Sequence, residues 1–206
     1  MSPTYFVKMQ PAADVRSAEK TPIDKTVWLK DYCPPCSAQL VYDTSRETFI
    51  VSLSCQEANP LIRYHNFNDP VYTDSCLEWF CGFDPNDVRY INFEMNAGGA
   101  LLAGFGADRH ERISLHELVP MEEIPTVKAE RTDKAWSVTL EIKKSTLEKV
   151  YGRPLSFQAG MTLRGNFYKC GDETEIEHYV MWSPIEQETP DYHVPKFFGN
   201  FVLCDK

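Results

Sequence analysis

Apolar and polar residues alternate along two neighbouring stretches, residues 74–83 and 89–96, with the turn-forming sequence DPND between them. In the second stretch three apolar residues alternate with three polar ones: Ile91, Phe93 and Met95 with Asn92, Glu94 and Asn96. A period of two is typical of a β-strand with one buried face and one polar face. The pattern therefore predicts two strands on which Glu78 and Glu94 share a polar face, which is either a solvated surface or the floor of a binding site.

The same alternation recurs along most of the chain. It predicts hairpins within residues 38–57 and 128–142, and further strands at 161–170, 175–182 and 200–203. A capping-box motif at Ser145 and Glu148, followed by Gly152, predicts one short helix. Many short strands separated by turns predict an all-β fold, a two-sheet antiparallel β-sandwich of jelly-roll type with one short helix.

The domain organisation follows from the extent of this alternation. Residues 1–25 mix Pro, Ala and polar residues without a period, which predicts an N-terminal tail. Residues 26–206 contain all of the predicted strands and the predicted helix, and a β-sandwich of that size commonly forms one domain. We therefore expect a tail followed by a single sandwich domain.

The charge of the chain argues against two classes of partner. It has 21 basic and 30 acidic side chains, a net charge of −9, whereas nucleic acids and anionic membranes select a basic surface. No apolar run approaches the ~20 residues that span a bilayer. The N-terminal sequence also lacks the apolar core of a signal peptide. We expect a cytoplasmic protein, or a secreted one if a signal has been removed.

The seven cysteines are odd in number and too sparse for a disulfide scaffold, so we expect mostly buried, reduced thiols. Cys33 and Cys36 form a CxxC motif that leaves three interpretations open: structural thiols, a disulfide, or half of a metal site. A redox pair normally precedes a helix, but β-like sequence follows here. A second metal-binding pair would have to be Cys76 and Cys81, whose spacing fits one face of a strand imperfectly.

Three segments together resemble family 9 carbohydrate-binding modules and the related DOMON-like proteins. They are DSCLEWF at 74–80, YINFEMN at 90–96, and the C-terminal sequence HYVMWSPI followed by PDYHVPKFFGNFVL. The residues that match the motifs are Asp74, Ser75, Glu78, Phe80, Phe93, Asn96, Trp182, Ser183, Pro195, Phe198, Gly199 and Asn200. The resemblance spans residues 30–206 and implies a β-sandwich that binds a sugar without catalysing a reaction.

The resemblance also implies roles for single residues. Glu78 matches a sugar-bonding carboxylate, Tyr192 takes the place of a stacking aromatic residue, and Lys169 matches an amide position that bonds the sugar. Two positions depart from the family. Val71 stands where a second stacking Trp is expected, which leaves the neighbouring Tyr72, and Glu94 replaces an Arg. The acidic residue would accept hydrogen bonds where a guanidinium donates them, so the sugar or its orientation must differ.

The predicted site therefore combines aromatic platforms with convergent polar groups, as sugar recognition requires. It consists of Tyr72, Glu78, Glu94, Asn96, Lys169 and Tyr192. We expect it to bind a mono- or oligosaccharide, non-catalytically, in glycan utilisation by a bacterium.

Other functions remain open at this point. The carboxyls of Glu78 and Glu94 are also the pair that a glycoside hydrolase needs. A haem-binding sandwich is a further alternative, with candidate ligands Met95, Met181, His178 and His193. No cofactor is predicted, although loop carboxylates at Asp69 and Asp74 are candidate calcium ligands.

Overall fold

A computed structural model describes residues 2–205 as a mainly β-structured chain. Its strands are β1 (Thr4–Gln10), β2 (Thr21–Ile23), β3 (Cys36–Asp43), β4 (Thr48–Cys55), β5 (Cys76–Gly82), β6 (Tyr90–Asn96), β7 (Leu101–Gly106), β8 (Ile113–Ser114), β9 (Val127–Arg131), β10 (Trp136–Lys143), β11 (Thr162–Gly171), β12 (His178–Met181) and β13 (Gly199–Cys204). Two α-helices are present in the described residues, α1 (Leu115–Leu118) and α2 (Lys144–Tyr151). Neither is long and apolar enough to cross a membrane.

The strands form one curled sheet that folds into the two layers of a β-sandwich, which confirms the predicted fold class. Its order is β8-β7-β6-β5-β11-β13-β1-β3-β4-β10-β9, with β12 beside β11 and β2 beside β3. Pairing is antiparallel except at β1, which runs parallel to both β13 and β3. Aromatic contacts join the layers, for example between Phe49 on β4 and Phe83 after β5, whose ring centroids are 5.3 Å apart.

The prediction of a tail at residues 1–25 is wrong, because β1 lies inside the sheet between two other strands. Tyr5, Val7 and Met9 are buried and alternate with exposed neighbours, as in any strand with one buried face. One of those exposed neighbours is Phe6, which is 61% exposed and hides the alternation in the sequence. The hydroxyl of Tyr5 donates to Glu19 O at 2.8 Å and holds the following segment against the sheet.

Strands β5 and β6 pair antiparallel with Glu78 directly opposite Glu94, so the two acids share one face, as the alternation predicts. Their apolar face belongs to the core between the layers, where the rings of Trp79 and Phe93 stack at 5.3 Å. Their polar face is not a plain solvated surface, since Glu78 and Glu94 are only 2% and 5% exposed. A second apolar cluster, which includes Phe80 and Tyr192, covers part of that face.

The helices differ from the prediction in start and number. Helix α2 begins at Lys144, after Lys143, so Ser145 is inside the helix and does not cap it. Gly152 ends it as expected, with a left-handed backbone at φ 69°. Helix α1 lies in a segment without clear periodicity, and its start is stabilised by Ser114 N donating to the carboxylate of Glu117 at 3.1 Å.

Candidate functional site

A cavity of about 410 Å³ opens on the polar face of β5 and β6. Glu78 and Glu94 lie at its floor, and loops on either side provide its walls. The remaining lining residues are Tyr72, Phe80, Asn92, Leu102, Arg109, Arg112, Cys170, Asp172, Tyr179, Pro190, Asp191, Tyr192 and His193. Four of the six residues of the predicted site line this cavity, namely Tyr72, Glu78, Glu94 and Tyr192.

The two floor carboxyls have different surroundings. Oε1 of Glu78 accepts a hydrogen bond from Cys170 Sγ at 2.9 Å, and its Oε2 is buried with no partner among the described residues. Oε1 of Glu94 accepts from Asn92 Nδ2 at 2.8 Å. The Glu78 carboxyl at the cavity floor is therefore incompletely hydrogen-bonded.

Burial favours the protonated form of these acids. It raises the pKa of Glu94 to about 7 and, together with nearby negative charges including Glu94, raises the pKa of Glu78 well above its usual value. Burial also raises the pKa of Asp172 in the wall to about 6. A protonated carboxyl both donates and accepts hydrogen bonds, which suits a ligand made of hydroxyl groups.

Two arginines reach the cavity from the loop between β7 and β8, a segment without alternation that sequence reasoning missed. Arg112 donates to Gly104 O at 2.6 Å and Gly106 O at 2.9 Å, and its guanidinium lies 4.3 Å from the centroid of the Tyr90 ring. Arg109 lies nearer the rim and pairs with Asp191 at 3.7 Å. Arg112 and Arg109 supply positive charge near Glu94. Glu94 itself occupies the position at which the family that the chain resembles has an Arg.

Gly106 lets this loop fold back on the sheet. A Cβ at Gly106 would collide with the backbone carbonyl of Glu111, next to Arg112. The only signal in the sequence is therefore the glycine itself, which without tertiary contacts indicates no more than a turn.

His193 follows Tyr192 on the same loop and lies near Glu94 of the floor. Its Nδ1 and the hydroxyl of Tyr90 are 2.8 Å apart, and its Nε2 is 4.0 Å from Glu94 Oε1. Burial, assisted by Arg112 and Arg109, lowers the pKa of His193 to about 3. The imidazole is therefore neutral near pH 7 and adds another hydrogen-bonding group to the wall.

The tyrosines differ in how much ring surface they offer. Tyr72 is 39% exposed at the rim of the cavity. Tyr192 is buried, stacks on Tyr168 at 3.9 Å, and donates its hydroxyl to Lys169 O at 3.1 Å. One face of Tyr192 is thus covered, so it forms wall and not a free platform. Half-buried Tyr179, which sequence reasoning did not select, also lines the cavity.

Asn96 lies outside the cavity, contrary to the prediction. Its Nδ2 donates to Tyr64 O at 2.8 Å and to Asp74 Oδ2 at 2.9 Å, and its Oδ1 accepts from Gly98 N at 3.0 Å and Ala100 N at 2.9 Å. The side chain is fully buried and its hydrogen-bonding groups are used in holding the turn after β6. Asn96 is therefore a structural residue.

Lys169 also lies away from the cavity, because successive residues of a strand point to opposite faces. Its neighbour Cys170 lines the cavity, whereas Lys169 points towards the core and is fully buried. Its Nζ lies 2.6 Å from His178 Nε2 and 3.5 Å from Glu57 Oε2. The predicted contact between Lys169 and a sugar is therefore wrong.

The candidate ligands of calcium and haem are engaged by the protein itself. Asp69 accepts from Asn66 N at 2.8 Å, and buried Asp74 accepts from Arg63 N at 2.9 Å, as carboxylates that cap turns do. His178 uses both ring nitrogens, since its Nδ1 is also 2.7 Å from Ile176 O. Met95 and Met181 belong to two separate apolar clusters, so these residues do not share one site.

The two cysteines of the CxxC motif have different surroundings. Cys33 is exposed, whereas Cys36 begins β3 and contacts Cys55 on β4, which is directly opposite in the register. Cys76 and Cys81 lie on opposite faces of β5, in different apolar clusters. The strand partner of Cys76 is Cys170.

Comparison with known proteins is consistent with this architecture. Residues 8–203 match the sequence profile of the family described as "Carbohydrate-binding family 9". A crystal structure of a protein from Bacteroides uniformis ATCC 8492, assigned as carbohydrate-binding, has a TM-score of 0.82 and 25% identity, with 98% of this chain and 100% of that chain covered. No match is found among proteins of curated function.

Two structures of a carbohydrate-binding module of family 9 from Caldicellulosiruptor kristjanssonii share the fold at 10% identity. The complex with glucose has a TM-score of 0.66 and covers 99% of this chain and 97% of that chain. The complex with cellotriose has a TM-score of 0.62, with coverage of 98% and 95%. Similarity this distant supports the fold.

Proposed function

The chain belongs to carbohydrate-binding family 9, and from that premise we propose that it binds a mono- or oligosaccharide in the cavity above Glu78 and Glu94. The observation that carries the proposal is the combination of tyrosine rings at the rim with polar groups converging from the floor and walls. At about 410 Å³ the cavity lies within the range of roughly 300–1,000 Å³ that is usual for ligand sites.

The polar groups of the cavity include both donors and acceptors of hydrogen bonds, and a sugar hydroxyl can act as either. Arg109 and Arg112 donate hydrogen bonds, Asp191 accepts them, and the buried Glu78 carboxyl does both when protonated. The exposed ring of Tyr72 offers an apolar surface to the C–H face of a sugar. Glucose and cellotriose, the ligands in the two structures of the Caldicellulosiruptor kristjanssonii module, are therefore the first ligands to test.

Isothermal titration calorimetry with glucose, cellotriose and a wider set of oligosaccharides tests the proposal. Loss of one stacking contact worth about 0.5–1.5 kcal/mol should weaken binding by roughly 2- to 13-fold in Tyr72→Ala. Phe6→Ala is the matched control, because Phe6 is an exposed aromatic residue on β1, outside the cavity lining. Equal affinity of wild type and Tyr72→Ala for every sugar that binds would contradict the site.

We propose that this binding is non-catalytic and serves glycan utilisation. The proposal rests on the family, which is one of binding modules. Incubation with aryl glycosides and oligosaccharides should release no product. Hydrolysis that is present in wild type and lost in Glu78→Gln would establish the enzyme alternative.

A further inference from the structure

A group of metal-binding donors lies at the cavity floor, and its two thiols have no part in the proposed carbohydrate recognition. The thiols of Cys76 and Cys170 and the carboxyl of Glu78 are buried, and their donor atoms all lie within 4.8 Å of one another. Both cysteines are free thiols. The cluster therefore has two soft donors and one hard donor at a single point.

The strand register produces this cluster. Cys76 on β5 and Cys170 on β11 are direct antiparallel partners, so their side chains share one face of the sheet. Glu78 is two residues after Cys76 on the same strand and points to the same face. Cys170 Sγ already lies 2.9 Å from Glu78 Oε1.

A second observation indicates that a ligand belongs at this point. Oε2 of Glu78 is buried without a hydrogen-bond partner among the described residues, although the whole side chain is only 2% exposed. Proteins rarely bury an unpaired polar atom, because its lost hydration is not replaced. A cation bound by the carboxyl would compensate that loss.

We propose that Cys76, Glu78 and Cys170 bind a thiophilic divalent cation, Zn²⁺. Thiolates select zinc over calcium and magnesium, which prefer oxygen ligands. Tetrahedral coordination with Zn–S bonds of about 2.3 Å places the two sulfurs about 3.8 Å apart. The observed spread of 4.8 Å or less needs only small side-chain movements to reach that geometry.

The position of the cluster determines how many ligands the protein itself can supply to the metal. Glu78 and Cys170 line the cavity, so a fourth ligand would enter from it as water or as an oxygen of a bound molecule. Three protein ligands with one open position distinguish such a site from closed structural zinc sites. Zinc and sugar binding are separate proposals with different tests.

The chain contains its own control for non-specific binding by thiols. Cys36 and Cys55 are also buried, directly opposed cysteines on antiparallel strands. They are outside the group of at least three metal-binding donors. A variant with Cys36→Ser and Cys55→Ser therefore keeps the proposed ligands and removes the other thiol pair.

The experiment uses tag-free, reduced, metal-stripped protein under anaerobic conditions. Co²⁺ is added first, because thiolate ligation gives a charge-transfer absorption in the near ultraviolet, and Zn²⁺ is then added to displace it. We expect one equivalent of metal in the wild type and in the Cys36/Cys55 double variant, and no thiolate–cobalt band in Cys76→Ser or Cys170→Ser. Glu78→Gln should weaken zinc binding by at least the roughly 10-fold that loss of an outer-shell partner of a metal ligand costs.

Far-ultraviolet circular dichroism monitors the folding of each variant. The wild-type cobalt spectrum tests the proposal even if a variant fails to fold. A reduced, folded wild type that shows no thiolate–cobalt band and binds no stoichiometric zinc at micromolar metal would overturn the proposal. So would a band that survives Cys76→Ser and Cys170→Ser but disappears with Cys36 and Cys55. A disulfide between Cys76 and Cys170 in protein purified without reductant, with no metal binding after reduction, would overturn it in favour of a redox pair. Tyr72→Ala should bind zinc normally even where it loses sugar, which separates this test from the carbohydrate proposal.

Discussion

Glu94→Gln should stabilise the protein progressively as the pH rises from 5 to 8. Burial raises the folded-state pKa of Glu94 to about 7 from an ordinary value of 4.5, so the folded protein holds this proton more tightly than the unfolded chain does. For a raised acid pKa, the contribution to stability is largest below pH 4.5 and is lost as the pH rises through the folded-state pKa. Glutamine keeps an amide oxygen for Asn92 and cannot ionise.

The size of the effect follows from the shift. A displacement of 4.5 to about 7 corresponds to roughly 3 kcal/mol when the carboxyl is fully ionised, and most of this develops between pH 5 and 8. The free energy of unfolding of Glu94→Gln, relative to wild type, should therefore rise by roughly 2 kcal/mol over that interval. Burial lowers the pKa of His178 and His193, which makes stability rise with pH below 6.5 in both proteins, so this contribution largely cancels in the difference.

Urea denaturation at pH 5, 6, 7 and 8 measures this difference directly. Glu122→Gln is the matched control, because Glu122 is exposed and lies outside the cavity lining, and it should give a pH-independent difference from wild type. A Glu94→Gln curve that stays parallel to wild type over this range would show that the carboxyl is hydrated or paired in the folded protein. The account of the cavity floor as a desolvated acidic site would then be wrong.

Three further predictions test the remaining assignments. Lys169→Met should lower the free energy of unfolding, since it leaves Glu57 without its buried cation, but calorimetry should show an unchanged sugar affinity. A loss of affinity without a loss of stability would show that Lys169 belongs to the sugar site. Gly106→Ala should displace the loop that carries Arg112 and weaken sugar binding several-fold. The control is Gly160→Ala, which should affect only stability, because Gly160 is exposed, has open space for a Cβ and has a positive φ. Adding Ca²⁺ to metal-free protein should leave the melting temperature unchanged, because Asp74 already accepts hydrogen bonds from Arg63 and Asn96. A rise in melting temperature that Mg²⁺ does not reproduce would identify a calcium site.

Local pattern was sufficient wherever one strand face is apolar and the other polar. The alternation in β5 and β6 predicts both strands, and their pairing places Glu78 and Glu94 on one face as expected. It does not predict β1, because Phe6 is exposed at a position where the alternation calls for a polar residue. Nor does it distinguish Glu78 and Glu94 as surface groups from buried ones, because burial depends on loops distant in sequence.

The sequence by itself determined the all-β class, the strand pair at the cavity floor and the resemblance to a sugar-binding family, since these depend on residues close together in the chain. The tertiary structure decided which side chains meet. It brings Arg112 to the cavity from an aperiodic loop, turns Lys169 to the opposite face from Cys170, and places Cys170 against Glu78. The physical reason is that strand period defines faces, whereas the curling of the sheet and the path of the loops determine what each face contacts.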